Sequence, residues 1–336
     1  MNFDFTDDQH EIKRTARDLL TKRSTWEKVR EAAEGGRYDD ELWRELGELG
    51  WPGIAIAEEH GGQGMGVVEL VILLEELGYA CAATPFLGSA LAGLAIQSAG
   101  SPEQQARWLP GLASGELRGA LGAPGLIPDG EGADVLVLVT ADGLRLLAGA
   151  DARAESLDAI DPTRRHARVD DAVAVGGEPL PGDAEVATDL ARSAVSAELV
   201  GIAQRGLEMS VAYVKDRKQF ETPVGAFQAV AHRCAQMLRD TEMARSATYH
   251  AAWAADADPE RLPEAAGVAK AAASEAGREV TASAIQVHGG IGFTWEADVH
   301  WLYKRAQIDA ALLGGAGAHR GRLARLAAAR LAGARG

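Results

Sequence analysis

The chain has 336 residues and a formal net charge of -15 at pH 7, so it can bury one large core or two to three smaller ones, and it repels a phosphate backbone. No basic stripe with interleaved aromatic residues is present, and nucleic acid is therefore not expected as a partner. The two cysteines, Cys81 and Cys234, have no His or Cys at metal-ligand spacing, so neither a disulfide framework nor a metal site is expected.

The N-terminus shows no sign of a targeting segment. Residues 1–5 are acidic and lack a basic region followed by an apolar one, and no stretch approaches the roughly 20 uncharged apolar residues of a membrane span. We therefore expect a soluble, cytoplasmic protein with no membrane span.

Residues 1–118 are predicted to form a helical domain. Apolar residues recur at helical spacing over 7–20, 39–49 and 67–78, and Pro102 opens a fourth helix. Thr6 is the expected N-cap of the first helix, and Gly50 follows the second as a C-terminal stop.

Residues 119–186 are predicted to form a small, reduced β domain. The run 134–139 is rich in β-branched and apolar residues, and 144–147 and 172–175 are candidates for further strands. Glycine, proline and aspartate punctuate the remainder, as is typical of turns.

Residues 187–336 return to helical periodicity in long stretches, over 188–215, 227–257 and 263–288. These lengths predict a C-terminal four-helix bundle, and 320–335 reads as a terminal amphipathic helix. The predicted class is mainly α, with a helical N-terminal domain, a small β middle domain and this bundle.

Two segments of the C-terminal region have residue types suited to a phosphate-bearing cofactor. The arginine segment, residues 216–228, contains Arg217, whose rigid guanidinium fork matches a pyrophosphate. The glycine segment, residues 286–293, contains Gly289 and Gly290, which let a backbone approach a ligand closely. The alternatives are an ion-paired arginine at a helix end and an ordinary turn between helices.

Together with Glu-Glu-His-Gly-Gly-Gln-Gly at 58–64 and Leu-Glu-Glu-Leu-Gly at 74–78, the two segments resemble the acyl-CoA dehydrogenases over nearly the whole chain. The resemblance implies FAD as cofactor, an acyl-CoA substrate, a role in lipid metabolism, an acceptor of the electron-transfer-flavoprotein type and a homo- or hetero-tetramer. In that family the two segments contact FAD across a subunit interface. The implied cofactor contacts are Arg217, Gln219, Phe220, Phe227, Gln228, Gln286, Gly289 and Gly290.

The catalytic base is less evident from the sequence. The position of the family's usual carboxylate falls on Leu313, and the alternative position on an earlier helix falls on Ala191; neither can accept a proton. Arg192 matches a family arginine near the substrate. Glu198 lies two helical turns beyond Ala191 on the same face, among apolar neighbours, where desolvation would make its carboxylate a stronger base. The alternative is a helix glutamate paired with Arg192 or with Arg205.

Two further positions depart from the family pattern. Glu221 stands where the family usually has glycine, and residues 121–126 replace a longer stretch that touches the flavin.

Three functions remain open at this point. The first is a complete FAD-dependent dehydrogenase that converts an acyl-CoA to its α,β-unsaturated form with Glu198 as base. The second is a non-catalytic or half-site subunit of a heteromeric acyl-CoA dehydrogenase. The third is a flavin-free relative in which the glycines only pack.

Overall fold

The computed structural model describes residues 4–333. Its N-terminal part is helical, as predicted, and residues 58–66 form a short 3-10 turn and a loop between helices rather than a nucleotide-binding loop. The helices are α1 (Asp7–Arg23), α2 (Trp26–Gly35), α3 (Asp40–Glu48), α4 (Val67–Tyr79), α5 (Phe86–Ala99) and α6 (Pro102–Ser114).

The middle part contains two small sheets. The elements are β1 (Gly119–Gly122), β2 (Ile127–Pro128), β3 (Val135–Thr140), β4 (Gly143–Ala148), α7 (Gly149–Ala152), β5 (Glu155–Leu157), β6 (His166–Arg168), α8 (Asp171–Val175) and β7 (Glu178–Pro179). One sheet has the strand order β1-β3-β4-β7, with β1 parallel to β3, and the other has the order β2-β6-β5.

The C-terminal part is a helical bundle interrupted by one short hairpin. The predicted mainly α class, with a small sheet region between helical regions, is confirmed. The elements are α9 (Ala184–Asp216), β8 (Lys218–Gln219), β9 (Thr222–Pro223), α10 (Gln228–Ala257), α11 (Leu262–His288), α12 (Val299–Ala311) and α13 (Ala316–Gly333). The last two residues of the predicted terminal helix, 334 and 335, lie outside the described residues.

Local sequence signals explain where several helices begin. Thr6 caps α1 in a reciprocal capping box with Gln9, as its position before the apolar pattern predicts. Asp183 accepts hydrogen bonds from the second and third amides of α9. These side chains satisfy backbone donors that have no partner inside the helix.

One predicted strand is wrong. Residues 172–175 form the end of the short helix α8 instead of a strand. The Asp170 side chain accepts a hydrogen bond from the Ala172 amide at 2.8 Å and thereby caps a helical turn. This local hydrogen bond outweighs the weak β-propensity of two valines separated by alanine.

The core of the molecule is organised by α9, a helix of 33 residues that crosses α4 at close range. Two glycines make the approach possible. A Cβ added to Gly201 of α9 would lie 1.9 Å from the Glu75 carbonyl oxygen, and one added to Gly78 of α4 would lie 2.3 Å from the Glu198 carbonyl oxygen. Each helix therefore needs a glycine where the backbone of the other helix passes.

We expect Gly201→Ala to destabilise the protein by about 1 to 3 kcal/mol or more, because α4 and α9 must move apart to admit a methyl group. Gly206→Ala on the same helix is the matched control. Its added Cβ would meet only side chains at ordinary contact distances of 3.7 Å and above, and alanine favours the helix by up to about 1 kcal/mol. Urea denaturation of both variants measures the difference; equal stability of the two would contradict the crossing.

Candidate functional site

The arginine segment begins at the end of α9, where Arg217 is the first residue beyond the helix. Strands β8 and β9 then pair as a hairpin with a two-residue turn. Phe220 and Glu221 occupy this turn with φ values of 52° and 60°, in the left-handed region. Such a turn favours residues that tolerate positive φ, which explains why the family usually has glycine at the position of Glu221. The Glu221 side chain is exposed.

The glycine segment begins at the end of α11, where His288 precedes Gly289. Gly289 has a φ of 67°, and a Cβ added to Gly289 or Gly290 would meet no atom within 4 Å. The His288 ring stacks on Tyr213, one turn before the end of α9, with 4.5 Å between ring centroids. This stack places the glycine segment and the arginine segment at the same end of the bundle.

The side chains at this end fit an anionic, partly planar ligand. Within residues 4–333, the Arg217 guanidinium makes no hydrogen bond or ion pair, and it is exposed. Phe220 is 90% exposed and meets Phe227 edge-on at 6.5 Å between ring centroids. Gln228 and Gln286 are also exposed. A guanidinium without an acidic partner suits a pyrophosphate, and exposed aromatic faces suit ring systems.

Of the eight residues expected to contact the cofactor, Gly289 is partly buried and the other seven are exposed. Gln219 directs its amide nitrogen to the neighbouring Lys218 carbonyl oxygen at 2.8 Å.

The position of the family base lies at the opposite side of the bundle, in the loop after α12. Leu313 occupies it with a φ of 55° and packs against the main hydrophobic core. The loop backbone is held firmly: the Lys270 ammonium lies 3.0 to 3.3 Å from the carbonyl oxygens of Asp309, Ala310 and Gly314. His319 Nε2 lies 3.1 Å from the Leu313 carbonyl oxygen. Burial lowers the pKa of Lys270 to about 7.

Glu198 is buried, with 2% of its surface exposed. Its carboxylate pairs with neither Arg192 nor Arg205. One carboxylate oxygen, Oε1, accepts hydrogen bonds from Arg164 Nη2 at 2.6 Å and from Arg305 Nη1 at 3.3 Å.

Arg192 lies in a different ion cluster. Its Nη1 donates to Asp189 Oδ1 at 2.6 Å, and Arg322 of α13 donates to the same carboxylate at 2.6 and 2.7 Å. Arg205 donates to the Tyr79 hydroxyl at 3.0 Å. Neither arginine contacts Glu198.

A second buried carboxylate, Asp309, was not singled out by the sequence. It lies on α12 one helical turn before Leu313, and its Oδ1 accepts a hydrogen bond from Arg164 Nη1 at 2.8 Å. Burial raises the pKa of its carboxyl to about 8. The available signal was a single charged residue within an otherwise apolar stretch, 308–313.

Glu198 and Arg217 belong to the same helix but to different regions of the bundle. They are 19 residues apart, which at a rise of 1.5 Å per residue is about 28 Å along the axis. The stretch 121–126, which in the family reaches the flavin, is a tight turn here that is closed by a 2.9 Å hydrogen bond from the Leu126 amide to the Ala123 carbonyl oxygen.

Metal and membrane features are not found in the described part of the chain. Residues 4–333 contain no group of three or more His, Cys, Asp or Glu side chains placed to hold a metal ion. Over the same range, none of the helices combines the length and apolar character that crossing a bilayer requires.

The fold and the two cofactor segments define a flavin-dependent acyl-CoA dehydrogenase architecture. Residues 6–116 match the family model of the acyl-CoA dehydrogenase N-terminal domain, and residues 183–328 match that of the C-terminal domain. The chain belongs to the acyl-CoA dehydrogenase family, whose cofactor is FAD and whose members are oxidoreductases.

Three similar proteins illustrate the relationship. Acyl-CoA dehydrogenase IpdE2 of Mycobacterium tuberculosis is 38% identical over 305 residues, which cover 90% of this chain and 92% of that protein. The structure of the ChsE4-ChsE5 complex from Mycobacterium tuberculosis superposes with a TM-score of 0.84 at 28% identity and covers 98% of this chain and 99% of that one. The Tcur3481-Tcur3483 steroid ACAD G363A variant gives a TM-score of 0.83 at 30% identity, with 97% and 99% coverage.

We expect Arg217→Ala to leave the purified protein with little flavin, because the variant removes a charge-assisted contact of about 1.5 to 3 kcal/mol to the pyrophosphate. Arg44→Ala, which removes an exposed arginine of α3 in the N-terminal part, is the control. Flavin absorbance per chain and FAD titration measure the effect. Full occupancy and unchanged affinity in Arg217→Ala would show that the pyrophosphate binds elsewhere.

Proposed function

We propose that this chain is a subunit of a heteromeric acyl-CoA dehydrogenase and completes the FAD site of a homologous partner chain. The assembly would catalyse FAD-dependent α,β-dehydrogenation of an acyl-CoA thioester. The partner would supply the carboxylate base, and this chain would supply the surface formed by the arginine and glycine segments.

The proposal is supported by one contrast between the two regions of the bundle. The cofactor residues are exposed and Arg217 has no acidic partner among residues 4–333, so this surface can receive an anion. The position of the family base is occupied by Leu313, which has no titratable group. A chain with a free cofactor surface and no base at the usual position fits a shared site better than a self-sufficient one.

The residues of this chain would act by binding and positioning. Arg217 would hold the pyrophosphate, Gly289 and Gly290 would let the backbone approach it, and Phe220 and Phe227 would cover its rings. FAD, when bound, supplies the acceptor for the hydride that leaves the substrate β-carbon. Fixing the cofactor in this way lowers the barrier through orientation rather than through proton transfer by this chain.

Similar proteins also support a two-chain assembly. The ChsE4-ChsE5 structure is described as a complex, and the Tcur3481-Tcur3483 protein is named by two chains and as a steroid ACAD. We extend this to a hetero-tetramer for the present chain, with an acceptor of the electron-transfer-flavoprotein type and a cytoplasmic location. Both cysteines are free, which suits a reducing compartment.

A second candidate function is catalysis by this chain alone, with Glu198 as base and Arg192 near the substrate. One observation favours it: Glu198 Oε2 is buried and has no hydrogen-bond partner in the described chain, so one oxygen is available to accept a proton. Two contacts weigh against it, because the Arg164 and Arg305 guanidinium groups occupy Oε1 and tie the carboxylate into a buried ion cluster.

Purification of the chain alone and with a homologous full-length partner distinguishes the two functions. We expect the mixture to form an assembly of even subunit number by light scattering, and its flavin to be reduced by acyl-CoA, with a steroid-derived acyl-CoA among those tested. Arg217→Ala in this chain should abolish flavin binding to the assembly. Full activity of this chain without any partner would overturn the heteromeric proposal.

Glu198→Gln tests the second candidate. If Glu198 is the base, the variant keeps its shape and its flavin, but acyl-CoA reduces that flavin about 100-fold or more slowly. This is the usual scale for losing a positioned base. If the partner supplies the base, the rate of flavin reduction in the assembly stays within a few-fold of wild type. Stopped-flow measurement of flavin absorbance gives the rate in both cases.

A further inference from the structure

A buried ion cluster joins the middle part of the chain to the bundle. Its centre is Arg164, in the loop between β5 and β6, which reaches Glu198 of α9 at 2.6 Å and Asp309 of α12 at 2.8 Å. Arg305 of α12 forms the second cationic centre and contacts Glu198 at 3.3 Å and Asp161 at 3.4 Å. All of these residues are 2% exposed or less.

The cluster contains more acid than base. Asp129 also lies 3.4 Å from Arg164, so four carboxylates face two guanidinium groups. With these six groups ionised the cluster would have a charge of -2 in a region without access to solvent, and the buried Lys270 ammonium beside Asp309 would offset at most one of these charges. Burying unpaired charge is costly, and a buried group usually changes its protonation state instead.

The hydrogen bonds indicate where a proton can bind. Asp129 accepts hydrogen bonds from the Tyr38 hydroxyl at 2.6 Å and from the Gly88 amide at 2.8 Å, and Asp161 accepts from Thr163 and Arg305. These carboxylates are already surrounded by donors. By contrast, the second oxygens of Glu198 and Asp309 are buried without a partner in the described chain.

We propose that the cluster binds one proton on the Asp309 carboxylate and that this proton holds the middle part of the chain on the bundle at neutral pH. Asp309 directs its other oxygen to Arg164, and a proton on Oδ2 removes one of the uncompensated negative charges. As the pH rises and the proton is lost, like charges remain buried at the junction and weaken it.

The surroundings of Asp309 are consistent with this assignment. Burial raises the pKa of its carboxyl to about 8, with the Glu198 charge adding to the effect. Burial also raises the pKa of Asp129, but both of its oxygens already accept hydrogen bonds. Burial would raise the pKa of Asp161 as well, but Arg305 and Arg164 lower it. Burial lowers the pKa of His166 to about 4, so that ring is neutral. The charged or titratable groups of the packed elements are Tyr38, Cys81, Asp129, Asp161, Arg164, His166, Glu198, Lys270 and Arg305.

The sign of the pH dependence follows from the direction of the shift. An aspartate ordinarily loses its proton near pH 4, whereas Asp309 in the folded chain keeps it to about pH 8. Between these values the folded state binds more protons than the unfolded state, so stability falls as pH rises, by up to about tenfold per pH unit in the unfolding equilibrium. Above about pH 8 Asp309 is ionised in both the folded and the unfolded state, so its contribution to the free energy of unfolding no longer changes.

Asp309→Asn tests the proposal because asparagine imitates the protonated carboxyl. We expect the ratio of its unfolding equilibrium constant to that of wild type to fall about tenfold or more between pH 6 and pH 9. Asp142→Asn, at an exposed position in the turn between β3 and β4, is the matched control and should follow wild type. Urea denaturation at each pH provides the constants, and an Asp309→Asn profile parallel to wild type would overturn the proposal.

Two measurements keep the test decisive if Asp309→Asn does not fold. Infrared spectra of the wild-type protein with carbon-13-labelled aspartate or glutamate should show a protonated carboxyl band at pH 7 that disappears by pH 9; absence of the band at pH 7 contradicts the proposal. Glu198→Gln removes the neighbouring negative charge and should lower the pH at which this band disappears. An unchanged midpoint in that variant also contradicts it.

Discussion

The close crossing of α4 and α9 is the constraint on which the other features depend. Glycines at positions 78 and 201 let the backbones of α4 and α9 come into direct contact. This contact fixes the rotation of α9 and its position along its axis. Glu198 lies at this crossing, and Arg217 lies at the far end of the same rigid helix. The buried ion cluster and the surface formed by the arginine and glycine segments are therefore both positioned by α9. A change in the crossing would displace both.

The two regions connected by α9 differ in chemistry. One is a surface of exposed aromatic, amide and guanidinium groups that has few partners within the chain. The other is a solvent-excluded cluster whose charged side chains form ion pairs between different parts of the fold. The first kind of region is suited to receiving a ligand, and the second to holding parts of the molecule together. This division favours a subunit that completes a site over one that contains a whole site.

Periodicity and capping signals predict most of the longer helices: α9, α10 and α11 are predicted to within a few residues, whereas α2, α5 and α12 are not predicted individually. The family resemblance points to the arginine and glycine segments, most of whose named residues are exposed. Two valines favour a strand where the Asp170 cap produces the short helix α8. The partners of Glu198 could not be predicted, because Arg164 and Arg305 lie 34 and 107 residues away in sequence. Long-range ion pairs of this kind follow from the packing of helices and loops, and no local sequence pattern predicts them.

The loop that carries Leu313 has an evolutionary consequence. Its backbone is held by the Lys270 ammonium and the His319 ring through carbonyl oxygens, and none of these contacts uses the side chain at position 313. These backbone contacts can therefore form whether that side chain is a carboxylate or a hydrocarbon. Exchange of a proton-accepting residue for an inert one at this position leaves these contacts in place, which is a short route from a pair of identical chains to a pair with divided roles.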